Sequence, residues 1–371
     1  MNIKSLLLGS AAALAVVSGA QAADAIVAAE PEPMEYVRVC DAYGTGYFYI
    51  PGTETCLRIG GVVQFQVNAA NSYNPGSDNG WATRSRFELN VDTASDTEYG
   101  PLKTQVILRQ DFLGTYNDNV GGGVIWGPAG RDSHTETYLL AANIQIAGFL
   151  VGLADSQYSS FTNYAGDIIN DDVISYGGFE VNQISYNYDG GNGFKAMISL
   201  QDDREGVMGL DAFGNVVYFN GADYGVDVVA GLGYSTGAFG FTVVGGYDES
   251  MEDGAIKARV DGTFGNVSAF LMGGWNTGDV ANEFAPWNGD WAVWGGLGAK
   301  FSDTLAGNLQ VAYSDNYSHD NVLAVAANLK WNPVQNLLIQ PEITYTKWDN
   351  WAGTGNSEDQ WNGVLRFQRK F

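Results

Sequence analysis

Apolar and polar residues alternate one by one over long stretches of this chain, and this period of two constrains the fold more than any other feature. In LRIGGVVQFQVN, residues 57–68, the apolar side chains fall on one side of an extended strand and the polar side chains on the other. The pattern recurs in WATRSRFELNVD (81–92), PLKTQVILRQDF (101–112) and NGVLRFQRKF (362–371). Because successive side chains of a β-strand point to opposite faces, the sequence predicts a sheet with one apolar and one polar face.

Tight turns and long polar connections alternate between these strands. DTEYG (96–100) and DGGNG (189–193) contain the Gly, Asn and Asp residues that favour tight turns. GTYNDNVGGGVIWGPAGRDS (114–133), in contrast, is a long polar connection. We count sixteen candidate strands with hairpin connectivity throughout, an arrangement typical of an outer-membrane β-barrel.

The direction of the apolar face distinguishes a soluble protein from a membrane protein. In a soluble sandwich two apolar faces would meet in a core, which the alternation alone allows. Long antiparallel strands, alternating short and long connections, and aromatic residues near strand ends instead favour a membrane barrel with its apolar face outward. Pro341 fits poorly, because it removes one ladder hydrogen bond from the strand LLIQPEITYT. The aromatic set comprises Tyr43, Tyr47, Trp81, Trp287, Trp291, Trp294, Trp331, Trp348 and Trp361.

The N-terminus has the features of a secretory signal peptide. Lys4 precedes an apolar run from Leu6 to Val17, and an A-x-A cleavage pattern ends at Ala22. We predict that residues 1–22 are removed. No later apolar run reaches the roughly 18 residues of a membrane-spanning helix, so any membrane crossing falls to the strands.

The mature chain is predicted to have two parts. Residues 23–56 form an N-terminal segment on the periplasmic side, and residues 57–371 form the barrel. The formal net charge is −24, and removal of Lys4 makes it one unit more negative. Such an acidic chain is a poor candidate for nucleic acid, which requires clustered Lys and Arg. A hydrophobic content of 45% argues against a disordered chain.

Two cysteines, Cys40 and Cys56, are the only ones in the chain, and they flank DAYGTGYFYIPGTET. In an exported protein such a close pair favours a disulfide, which contributes about 3 kcal/mol for a loop of about 15 residues. Two free thiols are the alternative. The only histidines, His134 and His319, are far away in sequence, so we predict neither a metal site nor a cofactor.

Several long segments of the chain resemble one family, the alphaproteobacterial porins of the rhizobia and brucellae. They include MNIKSLLLGSAAAL, EYVRVCDAYGTGYFYIPGTETCLRI, GDIINDDVIS, GDWAVWGGL and the terminal VLRFQRKF. The resemblance implies a sixteen-stranded barrel in the bacterial outer membrane, assembled as a homotrimer in lipid and lipopolysaccharide, through which small hydrophilic solutes diffuse. It also implies that Phe371 is the terminal aromatic recognised by the barrel-assembly machinery.

An acidic segment near the middle of the chain departs from the strand pattern. A sixteen-stranded barrel is too wide for its own side chains to fill, so something has to narrow its lumen. The resemblance implies that residues 159–180, which follow the fifth candidate strand, fold inward as a constriction loop. Ile168, Ile169, Val173 and Ile174 would then pack, whereas Asp167, Asp171 and Asp172 would face the lumen. A solvated external loop is the alternative interpretation.

Basic residues on the polar face of the first three strands are candidates for the opposite wall. An acidic loop facing a basic wall sets up a transverse field that orients polar solutes. Local pairing of each arginine with Glu88 or Asp111 is the alternative. The acid excess predicts a weak preference for cations. The candidate wall residues are Arg58, Arg84, Arg86, Lys103 and Arg109.

Two other functions compete with diffusion, namely a barrel enzyme of lipase type and a structural or adhesive barrel. GYSTG (233–237) fits the G-x-S-x-G pattern, but Ser235 lies at a turn between two strands rather than at a strand-to-helix turn. Neither histidine is spaced from a serine and an acid in a way that suggests a triad. We therefore predict a passive channel without enzymatic activity.

Overall fold

The alternating segments form long antiparallel strands in a computed structural model of the chain. The structure describes residues 37–71, 80–114, 133–202, 206–210, 216–219, 225–278, 282–317, 319–350 and 357–371. The predicted signal peptide and residues 23–36 of the predicted N-terminal segment lie outside these residues, so the cleavage stays a prediction.

Sixteen strands, here numbered β1–β16, make up the barrel. The first eight are β1 (Cys56–Ala70), β2 (Gly80–Thr97), β3 (Gly100–Leu113), β4 (His134–Ile146), β5 (Phe149–Asp155), β6 (Glu180–Asp189), β7 (Phe194–Gln201) and β8 (Asp227–Ser235). The second eight are β9 (Phe239–Asp248), β10 (Asp253–Phe264), β11 (Val267–Asn276), β12 (Trp291–Lys300), β13 (Leu305–Asn316), β14 (His319–Val334), β15 (Leu337–Trp348) and β16 (Glu358–Lys370).

Each strand pairs antiparallel with its neighbours in the chain, and β16 pairs with β1 to close the sheet. In that closing ladder Phe367 lies opposite Phe65 and Arg366 opposite Gln66. Phe371 adds two backbone hydrogen bonds, since its N–H donates to Gly61 and its carbonyl accepts from Gly61. The sheet is thus a closed barrel without free edges, which confirms the predicted fold of sixteen antiparallel strands.

The two faces of the barrel wall differ as the sequence predicts. On β1, Phe65 is 43% exposed whereas its neighbour Gln66 is fully buried. Gln66 donates to Asn68 at 2.9 Å and accepts from Gln64 at 3.1 Å, which gives a polar ladder along the strand. This distribution is the reverse of that in soluble proteins, where large apolar side chains are mostly buried. The apolar face therefore points outward.

Pro341 occupies the middle of β15. The ladder with β16 passes through it, because Pro341 lies opposite Leu365. The ladder with β14 runs from Asn328 opposite Glu342 directly to Trp331 opposite Ile339, with no pair between them. Because proline has no N–H to donate, the barrel loses its pairing at this point on one side only.

The N-terminal segment is fastened to the start of the barrel. A disulfide joins Cys40 to Cys56, the first residue of β1, as the sequence predicts. Phe48–Tyr49 forms a two-residue strand that pairs with β1, and a short 3₁₀ helix spans Asp41–Tyr43. Outside the barrel sheet, a hairpin pairs Gly206–Leu210 with Val216–Phe219.

Helices are short in this fold. A four-residue helix, Gln157–Ser160, follows β5, and the Ser156 hydroxyl caps it by accepting from the Tyr158 N–H. No helix in the described part of the chain combines the length and the apolarity of a transmembrane helix.

Candidate functional site

The connection between β5 and β6, residues 156–179, is held against the polar face of the barrel wall. We refer to it as segment 156–179. Its buried side chains include Ile168, and also Tyr158, Ile174 and Tyr176, which join a cluster with Trp294 of β12. Gly166 has a φ of +85°, and a Cβ atom there would lie 2.9 Å from side-chain atoms of Phe270 and Gln310, so glycine is the residue that fits.

Several wall side chains bind the backbone of segment 156–179. The Glu342 carboxylate accepts from the N–H groups of Ile169 at 2.6 Å and Asn170 at 2.9 Å. Carbonyl oxygens of the segment accept from side chains of four other strands. These donors are Arg259 to Tyr164 at 2.6 Å, Asn328 to Asp167 at 2.8 Å, Gln310 to Asp171 at 3.2 Å and Trp294 to Ile174 at 2.9 Å.

The three predicted acidic residues have different environments. Asp167 is exposed, and its carboxylate accepts from the Lys330 amino group at 2.6 Å. The Asp171 carboxylate accepts from the Tyr176 hydroxyl at 2.8 Å. Withdrawal from water raises the pKa of Asp171 to about 7, and the nearby charge of Asp172 raises it as well. Asp171 therefore changes its charge near neutral pH.

Three of the predicted basic residues lie together on β2 and β3. Arg86 makes a bidentate pair with Asp111, at 2.7 and 2.6 Å. Arg109 donates twice to Glu88, at 3.0 and 2.9 Å. Arg84 is almost fully buried, 3.9 Å from Asp111. A cavity of about 540 Å³ is lined by all three arginines. The local pairing considered from the sequence is therefore present in the structure.

The other two predicted basic residues lie elsewhere along the strands. Arg58 pairs with Asp92 at 2.8 Å, and Lys103 lies opposite Ala94 near the tight turn between β2 and β3. Because Arg84 lies eight residues from Asp92 on β2, Arg58 is about 26 Å further along the wall at about 3.3 Å per residue. The five residues thus form two groups at different heights along the wall. The two groups are too far apart to contribute to one transverse field.

Comparisons with known proteins identify the fold and the family. Residues 24–365 match the porin subfamily. The porin Omp2b of Brucella abortus is 44% identical over 375 residues, which cover 100% of both chains. The chain belongs to the porin family. The porin Omp2b of Brucella suis biovar 1 gives the same identity and coverage.

Solved structures agree with this assignment at the level of the fold. The outer membrane channel DcaP of Acinetobacter baumannii superposes with a TM-score of 0.67 at 15% identity, covering 87% of this chain and 99% of that one. An anion-selective porin from Comamonas acidovorans gives 0.57 at 15% identity, covering 86% and 100%. This porin is a passive diffusion channel of the bacterial outer membrane, which it crosses with sixteen strands. The predicted family, location and sixteen-stranded antiparallel barrel are confirmed, whereas the inward-folded constriction loop stays a prediction.

Several residues of the porin's site are not apparent from its sequence. Arg366 of β16 donates to Gln66 at 3.0 Å and interacts electrostatically with Glu342 and Asp171. It therefore extends the arginine group of β2 and β3 toward segment 156–179. Glu342, which also holds the segment, looks like an ordinary residue of an alternating strand. Trp294 is a member of the aromatic set that the sequence assigns to the barrel's strand ends, whereas the structure buries it fully against the segment. The only signal in the sequence that could indicate such a role is the charge of Glu342 and the large side chain of Trp294 on the polar face of their strands.

Ser235 ends β8, and the chain continues through residues 236–238 into β9. It thus lies in a strand–turn–strand context, whereas a nucleophile elbow needs a strand and a helix. The side chains of His134 and His319 lie outside the described residues. The family and its relatives point to a channel without enzymatic activity.

Proposed function

We propose that segment 156–179 narrows the lumen of this porin and that small hydrophilic solutes and ions pass between it and the arginine group formed by Arg84, Arg86, Arg109 and Arg366. The observation that carries the proposal is the attachment of the segment's backbone to polar-face side chains of β10, β12, β13, β14 and β15. A connection attached to that face at five strands occupies space that a barrel of this size would otherwise leave to water.

The charges on the two sides of this passage are proposed to select among solutes. Asp171 and Asp172 belong to the segment, and Arg366 links Asp171 electrostatically to the arginine group. Two carboxylates reduce the net charge of the arginine group, because Arg86 pairs with Asp111 and Arg109 with Glu88. Glu342 lies within electrostatic range of Arg366, and with it five carboxylates outnumber the four arginines beside the passage, which supports a weak preference for cations.

The assembly is proposed to be a homotrimer embedded in lipid and lipopolysaccharide. An in-vitro folded structure of OmpT from Vibrio cholerae is described as a trimer form, and it superposes with a TM-score of 0.53 at 10% identity, covering 86% of this chain. Conductance steps in multiples of three after insertion into planar bilayers would support the same state here.

The reversal potential across a planar bilayer under a KCl gradient tests the proposed selectivity. The wild-type protein is expected to give a small potential of cationic sign. The double variant Asp171→Asn, Asp172→Asn is expected to bring it toward zero, whereas Asp359→Asn, an exposed position at the start of β16, serves as the matched control. A potential of anionic sign, or a double variant identical to wild type, would contradict the proposal.

A further inference from the structure

Lys257 is a fully buried lysine on the polar face of β10. Its amino group donates to the backbone carbonyl of Tyr176 at 2.6 Å. Among the described residues, no carboxylate forms an ion pair with it. Burial of an amino group without a counter-ion costs free energy unless other groups stabilise it. The contacts that surround Lys257 therefore have to compensate for its lost hydration.

Two aromatic rings of segment 156–179 provide that stabilisation. The Lys257 Nζ atom lies 4.2 Å from the centroid of the Tyr158 ring and 5.6 Å from that of Tyr176. An ammonium group at such distances is attracted to the negative face of the ring, and the attraction is stronger where water is excluded. Lys257 therefore contacts the segment by a hydrogen bond and by two ring faces.

The two rings belong to opposite ends of the segment. Tyr158 lies in the helix Gln157–Ser160 at its start, and Tyr176 lies three residues before its end. One amino group on the wall thus contacts the beginning and the end of the same connection. Apolar packing contributes at both ends as well, because Tyr158 contacts Phe284 and Tyr176 contacts Trp294.

We propose that Lys257 is a positioning residue that fixes both ends of segment 156–179 to β10 and so keeps the channel at one conductance level. The proposal rests on the proposed function of the segment. Without the amino group, the apolar contacts remain but the two ends are no longer tied to a common point. The segment then leaves its position more often, and the current fluctuates.

Single-channel recording of Lys257→Met tests this directly. The substitution keeps the aliphatic stem and removes the amino group. It is expected to raise the fraction of time spent at other conductance levels about tenfold, which corresponds to about 1.4 kcal/mol. Lys300→Met is the matched control, since Lys300 is exposed at the end of β12, six residues along the strand from Trp294. It is expected to record like wild type.

A pair of Tyr158 variants separates the ring face from general packing. The Tyr158 hydroxyl is buried and has no hydrogen-bond partner in the part of the chain that the structure describes, so Tyr158→Phe keeps the relevant ring and is expected to behave like wild type. Tyr158→Leu removes the ring and is expected to fluctuate like Lys257→Met, with no further increase in the double variant. If Lys257→Met does not assemble, the comparison of Phe with Leu at position 158 decides.

Two results would overturn the proposal. One is a steady wild-type current from assembled Lys257→Met, and the other is equal behaviour of the Phe and Leu variants at position 158. The Asp171→Asn, Asp172→Asn variant distinguishes this failure from failure of the proposed function. If the selectivity of this double variant changes while the Lys257→Met current stays steady, only the proposed role of Lys257 is wrong. If the selectivity is also unchanged, the proposal that segment 156–179 narrows the lumen is wrong as well.

Discussion

The Glu342 carboxylate accepts a hydrogen bond from the backbone N–H of Asn170 at 2.9 Å, although 172 residues separate the two in the chain. It also accepts from the Ile169 N–H and from the Asn328 amide. Both carboxylate oxygens are thus used, and β15 holds the centre of segment 156–179.

Replacement of Glu342 by glutamine is expected to loosen the segment. Glutamine has one acceptor oxygen where glutamate has two, so a buried N–H of the segment loses its partner. An unpaired buried group costs about 1–3 kcal/mol. The rate of proteolytic cleavage within residues 156–179 should rise accordingly, while Asp359→Asn should leave it unchanged. Equal cleavage of the Glu342→Gln variant and wild type would show that Glu342 does not hold the segment.

The cation preference is expected to depend on pH near neutrality. Withdrawal from water raises the pKa of Asp171 from 3.8 to about 7, and the charges of Asp172 and Glu342 raise it too, whereas the hydrogen bond from Tyr176 lowers it. The carboxyl is therefore neutral below about pH 7 and charged above it. The reversal potential should become more cationic as the pH rises through this value. Asp171→Asn should remove that step, and a step that persists in the variant would assign it to another group.

The same raised pKa has a consequence for stability. Since Asp171 ionises at 3.8 when unperturbed, its charge destabilises the folded segment increasingly between pH 3.8 and about 7. Protection of the segment from protease should consequently be greater near pH 5 than near pH 8. Asp171→Asn should reduce this difference, and equal pH dependence in both proteins would contradict the assignment.

Neutralising one or the other partner of the bidentate pair between Arg86 and Asp111 is expected to shift the ion selectivity in opposite directions. Arg86→Gln should increase the ratio of potassium to chloride permeability, and Asp111→Asn should decrease it. A unit charge about 10 Å from an ion in water changes its energy by about 0.4 kcal/mol, or about twofold in local concentration. The double variant should return close to wild type. Lys103→Gln, about 26 Å along β2 and β3, should have a smaller effect; an equal effect would argue against a local field.

The disulfide is expected to contribute stability without affecting conduction. Replacing Cys40 and Cys56 by serine frees a loop with a sequence separation of 16. The chain-entropy estimate is a loss of about 3 kcal/mol in the free energy of unfolding. Thermal unfolding should occur at lower temperature, whereas the single-channel conductance should stay the same because the barrel ladder from β16 to β1 remains. A changed conductance would place the N-terminal segment in the passage.

Local patterning explains why the barrel was predictable from the sequence. Each strand displays its alternation within its own residues, as Phe65 and Gln66 illustrate, so neither register nor partner is needed to recognise it. The composition of GDIINDDVIS likewise marks the segment as unlike a strand. The direction of the apolar face depends on closure of the barrel. The alternation of short turns with long connections is enough to indicate that closure from the sequence.

The attachment of the segment was not predictable in the same way. Lys257 lies 81 residues from Tyr176, and Trp294 lies 120 residues from Ile174. Each residue occupies an ordinary inward position of its strand, and only the closed barrel brings it to its partner. The same reason explains why the predicted basic residues do not lie together. The alternation places Arg58 and Arg84 on the same face of the barrel wall, but it does not give the distance between them along that face.

Modification of a single thiol in segment 156–179 tests the central claim most directly. The described residues contain no free cysteine, and the only two in the chain are joined, so Asp172→Cys would introduce a unique thiol. Asp172 is exposed on the segment. Attachment of a bulky, positively charged thiol reagent should reduce the single-channel current of the variant in discrete steps and leave wild type unaffected. An unchanged current from fully modified channels, verified by mass spectrometry, would show that the segment does not narrow the lumen.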